Sequence, residues 1–536
     1  MTKKRMIMRT TIITLLTAIF LLGCSEDFLE VTNLNSLSES SFYQTEADFE
    51  DLIITCYMPM GHAQTSGRMH KLMFAQDDRV LHEQVGISAL QYDPTNSDIS
   101  NIYGALMRGV FRTNTFLKQF TEDIRISEER RQTMLGEAHF LRGMYYHYLA
   151  IWFEIPPLLT EPPEDPRVGY ENATQEEVFD FARQEFELAI DLLPETWPGA
   201  ELGRATKGAA MSFLGRNYLY QAQFAEAAAT LKEVIDMNLY SLNMPQGTDS
   251  LDYIYAYLSN FTPIDMPHNG NVYQSEFNSE SIYEINYSTA HNEGARSSQF
   301  LPLRRSTGSH MTWFHGYSAI TGGFGNIAAE DKAFPDEFER PDNHPAGLNR
   351  DPRYYAFFIE PGDPLDFRPD NPLFNEVFEV GDLNSSMGSE KGMRKHLYPF
   401  HTTFTDPNAP FLDPNNWRLL RYADVLLMYA EAQVRATGNF GDANALAAFN
   451  QVRERVGMEP LNVLSREAII HERDIELAGE HIRFWDLTRW YKDGWMTLEE
   501  VQQFKSNFQP RHVCLPLPLG EINRHYGVMQ QNPKWL

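Results

Sequence analysis

Hydrophobic and small residues recur at three- and four-residue spacing between residues 214 and 231. The first half of this stretch carries Leu214, Gly215 and Tyr218, and after a polar turn at 221–223 the second half carries Phe224, Ala227 and Leu231. A period near 3.6 with a break in the middle predicts two amphipathic helices that meet as a hairpin. Because one hairpin cannot bury its own apolar face, it needs helical neighbours.

The order of small and large residues in this hairpin resembles that of a tetratricopeptide unit, in which small side chains let two helices approach and large ones fill the gaps. The preceding segment fits the same scheme. A helix capped at Ser127 reaches Trp152, and a Pro-rich loop then leads to a helix capped at Thr174. These two helices would form the unit before it. The alternative is an ordinary set of core helices, and either interpretation makes this region a scaffold.

Apolar periodicity predicts further helices on both sides of the scaffold. On the N-terminal side they cover residues 40–57 and 101–120. On the C-terminal side a helix begins at Arg421, another carries Ala443 to Val452, and residues 465–490 form a third helix or two. The Pro-punctuated end of the chain is expected to lie over the surface.

Helical periodicity is lost between residues 241 and 410, where Gly, Pro, Asn, Asp and aromatic residues are frequent. Residues 281–287 alternate like a short strand. Loops this long in a compact chain are usually functional. The sequence therefore predicts a mostly α fold, in which tetratricopeptide-like hairpins carry an irregular ligand-binding part. The expected divisions are 24–240, 241–410 and 411–536, with 24–536 forming one compact unit.

The first residues indicate export. A basic start is followed by an apolar stretch at 10–22, which is too short to span a bilayer, and by a small residue before Cys24. This arrangement resembles a bacterial lipobox, so residues 1–23 are expected to be a signal peptide and Cys24 the lipidated first residue. A plain signal peptide or an uncleaved anchor is the alternative. No later stretch is apolar enough to cross a bilayer, so attachment would be by lipid.

The chain has 536 residues, a formal charge of -28 and three cysteines. Such an acidic chain argues against a nucleic-acid partner, since phosphates require Lys and Arg. Cys56 and Cys514 lie near opposite ends, and the sequence leaves open whether they pair. Nucleophile-elbow, Walker A and dinucleotide-binding motifs are missing from the sequence, and His471-Glu472 lacks the second histidine of a zinc protease motif. We therefore expect a protein without catalytic residues, metal or cofactor.

Aromatic rings beside short polar groups are the remaining candidates for chemistry. Sugars stack their C–H faces on rings and exchange hydrogen bonds with carboxylates and amides. Two non-helical stretches offer this combination, and the candidate glycan-binding residues are Trp313, Phe314, His315 and Tyr317 in one, and Phe74, Asp77, Asp78 and Tyr92 in the other. Trp313 is the first choice. The alternative for each ring is that it fills a local core under its loop.

Several motifs, in order along the chain, resemble those of the SusD/RagB family of outer-membrane lipoproteins. They are Cys24 with SEDFLE, LGEAHFLRGMYYHYL, GRATKGAAMSFLGRNYLY, SESIYEINY, RYADVLLMYAEA, FNQVRERVG, ERDIELAGEHIRFWDLTRW and LPLPLGEI. His139 and Gly143 replace the usual Arg and Ala. The resemblance implies that signature residues such as Arg421, Asp424 and Arg489 are buried or capping pairs rather than ligand contacts.

The resemblance also implies a function. It predicts a non-catalytic, cell-surface lipoprotein of the outer membrane that captures a glycan and passes it to a SusC-type TonB-dependent transporter. A peptide-capturing member of the family, a secreted glycoside hydrolase and a helical scaffold that binds only protein are the alternatives. The sequence leaves open the identity of the glycan, the transporter interface and a calcium site in residues 406–416.

Overall fold

The computed structural model describes residues 43–61, 69, 71–73, 75–82, 85–163, 165, 168–287, 327–329, 332–368, 377–379, 389–396 and 415–536. Its N-terminal helices are α1 (Glu46–Gly61), α2 (Val85–Ser88), α3 (Ser97–Gln119), α4 (Glu128–Trp152), α5 (Gln175–Leu192), α6 (Lys207–Tyr220) and α7 (Phe224–Asp236). The middle of the chain adds α8 (Ser250–Leu258), α9 (Phe334–Glu337) and α10 (Pro352–Phe357). The C-terminal helices are α11 (Tyr422–Thr437), α12 (Ala443–Arg455), α13 (Arg466–Leu477), α14 (Arg483–Lys492), α15 (Leu498–Phe504) and α16 (Leu519–Arg524).

The predicted hairpins are present. Helix α4 packs on α5, α5 on α6 and α6 on α7, and α7 then contacts α11 of the C-terminal region. Small residues make the close approach possible, because a Cβ added to Gly215 would lie 2.5 Å from the side chain of Leu231, and one added to Gly143 would lie 3.0 Å from that of Phe186. The prediction of a mostly α fold with tetratricopeptide-like hairpins is confirmed.

The helix starts follow local capping chemistry. The Ser127 side chain accepts a hydrogen bond from the backbone N–H of Arg130, and Thr174 forms a capping box with Glu177. Such contacts satisfy backbone donors that the first turn of a helix leaves without partners. These two starts therefore lie where the sequence predicts them.

Within the stretches of chain that the structure describes, the strands are short and form antiparallel pairs. The pairs are β1 (Val80–His82) with β5 (Ile327–Ala329), β2 (Met266–His268) with β3 (Asn271–Tyr273), β4 (Ser281–Ile285) with β8 (Trp417–Arg421), and β6 (Phe358–Ile359) with β7 (Gly392–Met393). The β4–β8 pair contains two register shifts. It joins the loop-rich region to the start of the C-terminal helices.

The structure refines two predictions for the C-terminal region: the number of helices in residues 465–490 and the position of the chain end. Residues 465–490 form two helices rather than one, because Gly479 and His481 adopt positive φ angles of 70° and 67° between them. The end of the chain does not simply lie over the surface. Leu515 and Leu517 are buried, and the backbone N–H of Leu515 donates to the carbonyl of Trp152 at 2.6 Å.

Buried ion pairs connect the C-terminal helices. Arg421 contacts Glu476 and Glu480, and Arg473 bridges Asp424 and Asp486. Arg489 contacts Glu431 and Asp486, and the signature residues Arg421, Asp424 and Arg489 are all buried. The prediction that they form buried pairs is confirmed. Cys56 and Cys514 are both buried free thiols, so they do not pair.

Candidate ligand-binding site

A cavity of about 270 Å³ lies between the C-terminal half of α1, the segment 201–204 and strand β4. Its apolar lining includes Ile54 and Met58 from α1 and Leu202 from the segment, and Ile54 and Leu202 are 44% and 45% exposed. Tyr57, Tyr283 and Asn286 add two rings and an amide. The walls thus combine apolar surface with groups that form hydrogen bonds.

A second compartment of about 140 Å³ adjoins the first, because Leu202, Gly203 and Arg204 line both. Three half-buried rings contribute to it: Trp197, Tyr240 and Phe277. Its polar lining consists of Glu195, Thr196, Arg204, Thr206, Ser281 and Glu284. We call the two compartments together the β4 cavity. Rings beside hydroxyls and carboxylates are the groups that sugar ligands require.

Two backbone positions with positive φ shape the β4 cavity. Gly203 has φ of 92°, and a Cβ there would lie 1.8 Å from the amide nitrogen of Asn286, which donates to the carbonyl of Leu202 at 3.0 Å. Only glycine therefore fits between the two compartments. Phe277 has φ of 50°, which is unusual for a bulky residue, and its N–H donates to Glu284 at 3.1 Å. Glu284 thus holds a strained residue whose ring lines the cavity.

An ion cluster underlies the cavity. Arg204 donates to Glu137 at 3.0 and 3.1 Å and to Glu50 at 2.9 Å, and Arg130 contacts the same two carboxylates. Burial raises the pKa of Glu137 although both arginines and Tyr57 oppose this. Burial alone would also raise the pKa of Glu50, but hydrogen bonds from Arg130 and Arg204 hold it below its ordinary value. Glu50 and Glu137 therefore neutralise the charge of Arg204 on the side away from the cavity.

Several of the predicted glycan-binding residues lie outside the described stretches of the chain. These are Trp313, Phe314, His315, Tyr317 and Phe74, and Cys24 lies outside them as well. Their roles stay predictions.

The structure places Asp77, Asp78 and Tyr92 at contacts with the C-terminal region. Asp77 is buried and accepts from the N–H of Arg79 at 2.8 Å, and burial together with Asp78 raises its pKa to about 7. Asp78 contacts Arg483 at 3.2 Å. Tyr92 is 6% exposed, and its ring lies 5.6 Å from that of Trp535. Each of the three thus has a structural role in this conformation, and their contact with a glycan is untested.

The rings of the β4 cavity were not among the predicted residues. Trp197 lies in a Pro- and Thr-containing stretch between α5 and α6, and Tyr240 and Phe277 follow α7 and precede β4. An aromatic residue in a loop beside polar groups is the same signal that selected Trp313. The sequence does not show that the three segments carrying these rings lie next to one another in the fold.

Asp249, Asp252 and His268 place one possible ligand atom each within 4.8 Å of one another. All three have other roles. Asp249 and Asp252 form the capping box of α8, His268 contacts Asp249 at 2.6 Å, and the hydroxyl of Tyr273 donates to Asp252 at 2.6 Å. The cluster is explained as the contact between the β2–β3 hairpin and the start of α8.

The fold and the cavity define a class of protein: tetratricopeptide-like hairpins that carry a loop-rich part with a ring-lined cavity. Two family models match this chain. One, described as the SusD family, matches residues 279–535, and the other, described as starch-binding associating with outer membrane, matches residues 27–219. The chain belongs to the SusD/RagB family.

Known relatives agree with this membership. SusD-like protein P25 of Formosa agariphila is 23% identical, with 93% of each chain covered. A solved structure described as a laminarin binding SusD-like protein is 23% identical with a TM-score of 0.68, covering 92% of this chain and 100% of that one. Surface glycan-binding protein A from Bacteroides thetaiotaomicron is 19% identical with a TM-score of 0.70 and the same coverage. Within the described ranges, none of the helices combines the length and apolarity needed to cross a membrane.

Proposed function

We propose that this protein is a cell-surface lipoprotein that captures an oligo- or polysaccharide at the outer membrane and delivers it, without cleaving it, to a SusC-type TonB-dependent transporter. Lipidated Cys24 would anchor it, facing the cell exterior. The observation that carries the proposal is membership of a family with a model described as starch-binding and associating with outer membrane. The laminarin-binding structure of similar fold supports the ligand class.

The β4 cavity supports the same ligand class from its chemistry. Its half-buried rings and short polar side chains are suited to the two faces of a sugar, apolar C–H groups and hydroxyls. In the sequence after β4, Trp313, Phe314, His315 and Tyr317 remain the proposed glycan-binding residues. Transport energy would come from the transporter, so no nucleotide site is expected in this chain.

A binding screen tests the proposal. The full-length protein, purified in detergent, is titrated with starch, laminarin, other polysaccharides and a peptide library, and the same samples are analysed for released products. We expect retention by one glycan class, no products, and weaker binding by Trp313→Phe than by Trp495→Phe, the same change at a scaffold position where the ring packs against Trp490. Product release would contradict the non-catalytic role, and binding of peptides alone would favour the peptide-capturing alternative.

The proposed partnership with a transporter is tested separately, by co-purification. Affinity-purified protein from native membranes is expected to retain a large outer-membrane barrel protein at constant stoichiometry. Recovery of the lipoprotein alone after mild crosslinking would contradict the partnership.

A further inference from the structure

We infer that the β4 cavity is itself a glycan subsite, that it takes about two neutral sugar units, and that it rejects acidic sugars. This inference rests on the proposed glycan-binding function and assigns the sugar class to a defined set of residues. It concerns the described residues of α1, β4, Phe277 and the segments 195–206 and 239–240.

The size of the cavity limits the ligand. The compartments measure about 270 and 140 Å³ and meet at Leu202, Gly203 and Arg204. Pockets for drug-sized ligands usually measure about 300–1,000 Å³. The β4 cavity therefore accommodates a short piece of a glycan, with one sugar ring beside Trp197, Tyr240 and Phe277 and the next beside Tyr57 and Leu202.

The exposed apolar side chains at the rim need a covering partner. Ile54 and Leu202 are each more than two-fifths exposed, and Leu239 at the second compartment is 38% exposed. Apolar side chains that gather around a cavity with polar walls are typical of a binding site rather than of scattered surface residues. The C–H faces of sugar rings supply a suitable apolar surface without a charge.

The charges of the cavity select against acidic sugars. Glu195 is exposed at the second compartment, and the side chain of Glu201 is 34% exposed at the rim. The one arginine in the lining of the two compartments is already engaged, because Arg204 bridges Glu50 and Glu137 and lies 3.8 Å from Glu201. Glu284 is likewise paired with Arg418 at 2.9 Å. A uronate or sulfated sugar would therefore meet two carboxylates: Glu195, which has no ion-pair partner among the described residues, and Glu201, whose neighbour Arg204 is already shared with Glu50 and Glu137. A neutral sugar would meet the same oxygens as hydrogen-bond acceptors.

The test uses the full-length protein and four-residue oligosaccharides as probes: maltotetraose and laminaritetraose as neutral sugars, and tetragalacturonate as an acidic one. Leu202→Trp fills the junction of the compartments, and Val463→Trp is the matched control at an apolar position with 62% exposure. We expect at least tenfold weaker binding of the neutral probes by Leu202→Trp and no change for Val463→Trp. The unmodified protein should bind tetragalacturonate at least tenfold more weakly than the neutral probes.

A charge variant gives a second readout that does not depend on packing. Glu201→Lys changes a partly exposed side chain and is expected to raise the affinity for tetragalacturonate at low salt at least threefold, while Glu226→Lys on the exposed side of α7 leaves it unchanged.

The outcomes separate the two proposals. Neutral binding that is unaffected by Leu202→Trp would overturn the subsite while leaving glycan capture intact. Tetragalacturonate binding as tight as that of the neutral probes would overturn the selection against charge. If no polysaccharide or oligosaccharide of any kind binds, the proposed function fails and the subsite fails with it.

Discussion

Two buried carboxylates of this protein, Asp77 and Glu476, have pKa values shifted in opposite directions. Burial and the neighbouring Asp78 raise the pKa of Asp77. Burial acts on Glu476 in the same direction, but Arg455, Arg421 and Arg353 outweigh it and hold the pKa of Glu476 far below its ordinary value. The number of cations within hydrogen-bonding distance decides the result, since Asp77 receives none of its side-chain hydrogen bonds from a charged group among the described residues.

Asp77→Asn should remove a pH dependence of stability. The pKa of Asp77 rises from 3.8 to about 7 on folding, so the folded state holds its proton more tightly than the unfolded state. The contribution of Asp77 to the free energy of unfolding is therefore fully present near pH 4. It is lost as the pH rises to about 7, by at most about 1.4 kcal/mol per pH unit. Urea unfolding at pH 5.5 and 7.5 should show a smaller loss for Asp77→Asn than for the unmodified protein.

Several charged groups face Asp77 and influence its ionisation. They are Asp78 and Arg79 on its own segment, Asp474 on α13, Arg483 on α14 and Lys505 after α15. Asp93→Asn changes an exposed aspartate of the same region, whose pKa is lowered by hydrogen bonds from Thr95, so it should leave the pH dependence between pH 5.5 and 7.5 unchanged. An identical loss of stability in Asp77→Asn and the unmodified protein would show that Asp77 ionises normally.

Glu476 should be among the most sensitive single positions for stability. It is fully buried and contacts Arg353 at 2.9 Å and Arg421 at 2.6 Å, with Arg455 as a third partner. Glu476→Gln leaves three buried guanidinium groups short of a counter-charge, which is expected to cost about 3–5 kcal/mol of unfolding free energy. Chemical denaturation measures it.

The exposed pair of Arg183 and Glu187, 3.0 Å apart on α5, supplies the comparison. Glu187→Gln should change the unfolding free energy by less than about 1 kcal/mol, because water already screens this pair. Equal effects at Glu187 and Glu476 would mean that the buried network contributes no more than a surface contact.

At the scale of elements, the hairpins depend on close helix contact. Gly215→Ala on α6 places a methyl group 2.5 Å from the side chain of Leu231 on α7, so Leu231 must move. We expect a loss of about 1–3 kcal/mol of unfolding free energy. Gly104→Ala on α3 is the matched control, because a Cβ there meets nothing within 4 Å and should stabilise the helix by a few tenths of a kcal/mol to about 1 kcal/mol.

A second substitution identifies the cause. If crowding against Leu231 is responsible, Leu231→Ala combined with Gly215→Ala should cost less than the sum of the two single changes. Strict additivity would point to another cause for the effect at Gly215.

Local signals predicted the helices better than the strands. Ser127 and Thr174 begin their helices through contacts with residues three positions away, which a sequence displays directly. Strand β8 is different. The sequence predicted a helix from Arg421 but no strand at 417–420, because that run is short and its partner β4 lies more than 130 residues earlier.

The β4 cavity was unpredictable for the same reason. Its walls come from α1, the α5–α6 connection, the segment after α7 and strand β4, and no local pattern shows that these four places meet. The buried pairs, in contrast, were expected from the motifs around Arg421 and Arg489. Sequence reasoning thus located the scaffold and its ion pairs, while the cavity required tertiary structure.

At the scale of the whole molecule, attachment to the membrane would keep the site close to its transporter. The chain from Cys24 to Tyr43 can extend over at most about 65 Å, so a lipidated protein would remain within that distance of the bilayer. Confinement of this kind raises the effective concentration of one partner for the other. The acidic chain, with its formal charge of -28, would at the same time weaken contact with anionic lipid headgroups.

Cys24→Ser should therefore change the location of the protein without changing its fold. If Cys24 carries the proposed lipid, a serine cannot accept it, so we expect the protein to leave the outer-membrane fraction and to lose labelling by a radioactive fatty acid. Its affinity for glycan probes and its unfolding midpoint should stay within error of those of the unmodified chain. Cys56→Ser, which alters a buried thiol of α1, is the control and should keep both label and membrane location. Uptake of glycan by cells that carry Cys24→Ser should fall at low glycan concentration, where capture near the transporter matters most. Retention of label or of full uptake by Cys24→Ser would contradict the lipid anchor or its role in delivery, respectively.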